Sequence, residues 1–408
     1  MVRSDASAVG GPLMTRPFKV LLALGALGIV LIVWRFVVGL GAATALNDGY
    51  PWGIWIAFDV VTGTALACGG YAMALLVYIF NRGRYHPLVR PAILTSALGY
   101  TLAGLSIAID VGRPWYLWKV PIQIWHWNVN SALLEVAVCI MAYIVVLWLE
   151  LAPAFLEKWK DGEHEKKREF ARKSLPILNG AMIWLVGLGI LLPTMHQSSL
   201  GLLMLLGGPK LHPLWNTPFL PLFFLFTSLA VGYAAVIFES AFASLAFHRK
   251  PHVEMLTFLQ RFAAMGSLLF VVFRFIDLVI RGRLGLAFQF EFYAILFWLE
   301  NVLFLAPFLI AILARRRTIG GLFREAMLVA VAGTLYRFST FLLAFDPGPS
   351  WAYFPSVGEL FITVGLVALE LAAYVFIVKT FPVLSGVPSL ASQKAAPVAV
   401  TVAPTPAH

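Results

Sequence analysis

The chain has 408 residues, 60% hydrophobic and only 12% charged, with mean hydropathy +0.85. A soluble domain is roughly half apolar and a quarter charged, so the composition excludes a soluble enzyme or binding module and gives an all-α polytopic membrane protein. The net charge of +10 does not point to nucleic acid, because the basic residues lie between apolar runs.

The first apolar run follows Arg16 and Lys19 and continues to about residue 40. It is long enough to span a bilayer and no small-residue cleavage site follows its start, so it reads as a first span, not a signal peptide. Ten spans are expected, over 17–40, 53–80, 88–111, 128–152, 176–195, 218–246, 256–280, 292–314, 322–345 and 356–380. Residues 1–16 form a cytoplasmic leader and 17–385 the transmembrane domain. Residues 386–408, rich in Pro, Ala and Ser, form a disordered cytoplasmic tail. With helix-end residues assigned to the adjoining loops, the even-numbered loops and the two termini carry 21 of the 30 Lys and Arg, and the odd-numbered loops five. Positive residues stay inside, so both termini are cytoplasmic (N-in, C-in).

In the second span Trp52, Trp55, Asp59 and Thr62 share a face, with a carboxylate one to two turns down. In the third, Gly99, Ala103, Ser106 and Asp110 form a stripe of small residues that ends outward, suited to close helix packing. Asp110 can equally pair with Arg113 at the helix end. The following loop carries Trp115, Tyr116, Trp125, His126 and Trp127, which suits either an interfacial aromatic belt or a site. The fourth span places Asn128, Ser131 and Glu135 on one stripe, with Glu135 roughly 10 Å deeper than Asn128. Asn128 can also serve as the cap of that helix. Intramembrane carboxylates are costly and usually functional, which singles out Glu135 and Asp59. The remaining outward loops hold His196 and Gln197 and then Trp215. Of the second-half charges in or near spans (Glu239, Arg274, Asp277, Glu300, Arg337, Glu370), some are expected to pair as buried ions. Cys68 and Cys139 are too few for a conventional iron–sulfur cluster in this chain and read as buried small hydrophobes. No metal site is expected.

Three functions compete. A haem-b membrane anchor needs axial histidines on facing helices. None of the eight histidines falls in mid-span, so no haem is expected, although one outer pair, His126 with His196, stays open. A proton-coupled transporter fits the carboxylates but not the clustering of polar signatures at one face. A quinone-reacting subunit needs an apolar cleft, donors for two carbonyl oxygens and a proton route. His126, Asn128, Asn130, His196, Gln197, Trp52 and Asp110 supply a rim, and Glu135 and Asp59 the proton sites. Electrons must then come from a partner docked on the outer loops through Tyr50, Trp115, Tyr116 and Trp215.

The segments "GLGAATALNDGYPWGIWIAFD", "FNRGRYHPLVRPA", "HWNVNSALLEVAVC", "LLPTMHQSSLG" and "AYFPSVGELFITVG" occur in this order. Together the chain resembles the NrfD-like, polysulfide-reductase-type membrane subunits over about residues 17 to 385. More closely it resembles the membrane subunit of type-2 nickel–iron uptake hydrogenases. The resemblance implies two four-helix bundles, helices 2–5 and 6–9, flanked by helices 1 and 10. It implies a haem-free, menaquinone-reacting subunit in the bacterial inner membrane, its quinone site toward the periplasm. Expected partners are a ferredoxin-like iron–sulfur subunit, the hydrogenase small and large subunits, and lipid. It matches Glu135 to a glutamate linked to proton movement, and His196 and Gln197 to the quinone end.

Overall fold

A computed structural model describes residues 6–247, 249, 251–313 and 317–386. Within them ten helices are long and apolar enough to cross a membrane: α1 (Arg16–Val38), α2 (Trp55–Ile79), α3 (Gly83–Asp110), α4 (Ala132–Lys160), α5 (Glu165–Leu206), α6 (Leu220–Ala246), α7 (Val253–Ile280), α8 (Phe292–Leu313), α9 (Ile319–Leu343) and α10 (Val357–Thr380). A helix satisfies its own backbone, which is what an apolar run in a bilayer requires. Polar residues set several starts. Ser131 Oγ accepts from Leu134 N at 3.3 Å to open α4. Ser356 and Glu359 form a reciprocal capping box at the start of α10.

Two boundaries differ from expectation and move the candidate residues. The fourth helix begins at Ala132, not 128, because Asn128 folds into a side-chain turn, accepting from Asn130 N at 3.2 Å, and Ser131 takes the cap. Glu135 therefore sits in the first turn, half-buried, not two turns inside. The fifth helix runs 42 residues, about 60 Å at 1.5 Å per residue, twice an apolar core of ~30 Å. His196 and Gln197, expected at a helix end, lie inside it.

The helices pack in a pattern that centres on α2, α3 and α6. α4 lies against α5 and α3, α6 against α5, α7 and α9, and α8 against α7 and α9. α2 lies against α3, α6 and α9, and α1 packs along α10. The α1–α10 contact is close because it is glycine on glycine: a Cβ built on Gly28 would stand 2.7 Å from Gly365 Cα. α2 opens with π-helical turns over Trp55–Thr62, and α9 closes with π-helical turns over Ser339–Leu343. Just before α2, Trp52 Nε1 donates to Phe341 O of the second stretch at 3.0 Å. Such widened turns frequently mark functional sites.

The chain ends meet at one end of the molecule. β1 (Ala6–Ser7) pairs antiparallel with β2 (Leu384–Ser385), and Val9 N donates to Val378 O at 3.0 Å. Arg90 grips Glu157 at 2.6 Å and also donates to Pro382 O. Residues 6–10 are thus held against the C-terminal segment. The tail expected over 386–408 falls, beyond Gly386, outside the described residues.

Candidate functional site

A buried polar region lies between α2, α3, α5 and α10. Asp59 is 1% exposed. Its Oδ2 accepts from Thr363 Oγ1 of α10 at 3.0 Å and from Ser106 Oγ of α3 at 3.4 Å. Its Oδ1 has no partner among the described residues. One turn further along α2, Thr64 Oγ1 is the meeting point of two α5 side chains. Gln197 Nε2 donates to it at 3.2 Å and His196 Nε2 lies 3.2 Å away. Tyr100 of α3 closes this cage: its hydroxyl is 3.5 Å from Gln197 Nε2 and its ring stands edge-on to Tyr143 and to His196. His196 Nδ1 and Gln197 Oε1 are buried without partners among the described residues. A buried polar atom left unpaired costs about 1–3 kcal/mol, so these atoms are poised to meet a ligand's polar groups.

α2 is aimed by its flanks. Trp55 Nε1 donates to Glu359 O at 3.2 Å. Glu359, buried at the start of α10, also accepts from Ala45 N at 2.9 Å and from Tyr353 OH at 2.7 Å. Tyr353 OH in turn accepts from Ile54 N at 2.8 Å. This locks the loop before α2 onto α10 and fixes the depth of Asp59. Asp110, the last residue of α3, forms no ion pair with Arg113 among the described contacts. The buried Arg35 of α1 instead donates to the backbone carbonyl of the next residue, Val111 O, at 2.8 Å.

The other expected rim residues are elsewhere. His126, Asn128 and Asn130 are exposed in the loop before α4, and the His126 ring lies tilted against Trp125 at 6.0 Å. The structure does not bring them to the His196 cage. Trp52 is half-buried and held by α9. The expected docking set divides in the same way. Trp115 is 63% exposed and Tyr116 46%, but Trp215 is 1% exposed. Trp215 points inward because its indole N–H donates to both oxygens of Glu300, at 3.3 and 3.2 Å. Tyr50 donates to Phe345 O at 3.0 Å and stacks on Tyr353, so it is largely engaged within the chain. Trp215 is withdrawn as an anchor for this reason.

The second-half charges do pair in part. Arg274 and Glu300 form a buried ion pair at 2.8 Å, and Asp277 is held by Arg281 and by Thr217 Oγ1 at 2.9 Å. Arg337 instead donates to the carbonyl of Phe224 at 2.8 Å and lies over its ring. In the neighbouring loop, burial holds the His212 imidazole below its usual value, with Glu291 opposing. Its ring stacks on Tyr293 at 4.3 Å.

Sequence reasoning missed Thr64, Tyr100, Ser106 and Thr363. Ser106 was on the right stripe but was read as a packing residue. A polar residue at Thr363, seven before Glu370 on one helix face, was a readable signal.

The polysulphide reductase, NrfD, profile matches residues 42–345, most of the chain. The chain belongs to the NrfD family. Its relative in Escherichia coli K12, named "Probable Ni/Fe-hydrogenase 2 b-type cytochrome subunit", is 43% identical over 388 residues, covering 93% of this chain and 95% of that protein. A Nitratidesulfovibrio vulgaris protein is 35% identical over 88% of this chain and 92% of its own length. The same organism's "Menaquinone reductase, integral membrane subunit" is 29% identical over 59% of this chain and 56% of that subunit. NrfD-family relatives are thus named as membrane subunits of redox complexes. One expectation is corrected here. The haem-free reading conflicts with the E. coli relative, whose name makes it a b-type cytochrome subunit and so implies haem.

Proposed function

We propose that this chain is the quinone-reacting membrane subunit of an oxidoreductase complex, with a nickel–iron hydrogenase as the leading candidate. The observation that carries this reading is the cage of Thr64, Tyr100, His196 and Gln197, with two polar atoms free, beside the free oxygen of Asp59. The names of the hydrogenase and menaquinone reductase relatives support the substrate class and menaquinone in particular. In this reading His196 Nδ1–H donates to a quinone oxygen, the Gln197 amide oxygen accepts from the hydroxyl formed as the quinone is reduced, and Tyr100 closes the cage. Asp59 gives a proton as the quinone is reduced. Electrons arrive from an iron–sulfur partner subunit at the loops opposite the termini, where Trp115 and Tyr116 are exposed. The charge distribution supports an inner-membrane chain with that face toward the periplasm.

His196→Ala should raise the KM for quinone about tenfold in a complex purified with this chain, since one hydrogen bond at ~1.4 kcal/mol is tenfold in affinity. An unchanged KM contradicts the cage as the binding site. We read Glu135, half-buried in the first turn of α4, as a proton-exchanging carboxyl. Glu135→Gln should leave assembly intact and lower quinone turnover per assembled complex. Reduced assembly with normal turnover per complex would instead make it a structural residue at the positive end of the helix.

A second reading, a haem-b-carrying anchor, is favoured by the name of the E. coli relative. His196 is the one buried histidine among the described residues, and its Nδ1 is free to ligate. The described side chains do not offer it a facing histidine partner. A stoichiometric b-type band in a reduced-minus-oxidised spectrum, lost in His196→Ala, would establish this reading.

A further inference from the structure

We propose that α10 carries a proton relay, Glu370 and Tyr374, that connects Asp59 to Glu239 and so to the termini end of the molecule. The proposal rests on the quinone reading above and adds the route by which its protons arrive. Thr363, Glu370 and Tyr374 stand at i, i+7 and i+11 on α10, within a narrow stripe of one helix face. They cover about 16 Å along the axis, more than half of an apolar core of ~30 Å. Both ends of the stripe are tied to buried carboxyls on other helices. At one end Thr363 Oγ1 donates to Asp59 at 3.0 Å. At the other, Tyr374 OH makes a short hydrogen bond to Glu239 Oε1 of α6.

Glu370 lies between them. It stands two turns from Thr363, which donates to Asp59, and one turn from Tyr374 on the same face. Its place is made by α3: a Cβ on Gly99 would stand 3.5 Å from Glu370 Oε1 and 2.7 Å from Ala67 Cβ. Glycine at 99 therefore lets the helices close while leaving room for a carboxyl. Beyond Glu239, the buried Arg249 donates to Ser240 Oγ at 2.9 Å and keeps two further nitrogens unpartnered among the described residues. His252, half-buried with Nε2 also unpartnered, lies next to Arg249 in the loop before α7.

A carboxyl inside a membrane has a high cost, and four side chains on three helices are here strung across about half of the thickness. The transfers are simple in balance. When Asp59 gives its proton to the quinone oxygen, its O–H bond breaks and the carboxylate forms. Glu370 restores that O–H, Glu239 restores Glu370 through the rotating Tyr374 hydroxyl, and the termini side restores Glu239. Each group ends as it began, and only protons move; the electrons come from the reduced partner subunit.

The test uses the purified complex, assayed for quinone reduction per assembled complex in light and heavy water. Glu370→Gln and Tyr374→Phe keep the shape of the side chains but cannot pass a proton. Both are expected to slow turnover by about tenfold or more and to change the solvent isotope effect, with KM for quinone and assembly near wild type. Altered packing alone would lower assembly without changing the isotope effect. Wild-type turnover with an unchanged isotope effect in both variants, while Asp59→Asn is impaired, overturns the relay and leaves the quinone reading standing. A wild-type complex that reduces no quinone overturns both.

Discussion

Asp59→Asn should lower quinone turnover per assembled complex by about 100-fold, at the low end of what a positioned acid contributes. Asparagine keeps the size of the side chain, and the Thr363 and Ser106 hydroxyls that donate to Asp59 can turn to accept from its amide. The fold is therefore expected to survive. What is lost is the exchangeable proton beside the Thr64–His196–Gln197 cage. The competing view is that Asp59 only joins α2 to α3 and α10. It requires less assembled complex and normal turnover in what is assembled. Measuring assembly and turnover on the same membranes separates the two.

Arg274→Met should be the most damaging single change to the folded chain. The Arg274–Glu300 pair is fully buried, with side chains 2% and 0% exposed. Removing the cation leaves Glu300 buried without its charge partner and costs about 3–5 kcal/mol. A large fall in Tm of the detergent-solubilised protein is expected. Arg274→Met combined with Glu300→Gln should recover much of the loss, because no uncompensated charge is left. The Arg90–Glu157 pair, with side chains 19% and 40% exposed, provides the contrast. Arg90→Met should cost about 0–1 kcal/mol through that pair. Equal losses at both positions would contradict a buried-ion role for Arg274.

The ten spans were legible because each is a long apolar run bounded by charged or turn residues, and ten membrane-length helices form among the described residues. The helix ends were harder to read. Asn128, Ser131 and Glu135 do fall on a helical stripe, yet Ser131 is the better cap and Asn128 turns back on Asn130. At the far end of α5, the sequence His196, Gln197, Ser198, Ser199 looks like a loop. It stays helical because the hydroxyls bond back into the helix, Ser198 to Thr194 O at 3.0 Å and Ser199 to Met195 O at 2.8 Å. That one misread boundary hid the burial of His196 and Gln197. Asp59 was legible as an intramembrane charge, but its partners were not, since Thr363 lies 304 residues away. Trp215 shows the limit of reading exposure from a loop, because its partner Glu300 is set by the packing of α7 against α8.

The most direct test is to label the intact complex with a photoreactive quinone and map the modified peptides. A quinone in the proposed cage predicts labelling of α2 near Thr64, α3 near Tyr100 or α5 near His196, suppressed by excess unlabelled quinone. Labelling confined to other helices, or unaffected by excess quinone, would contradict a quinone site at this position.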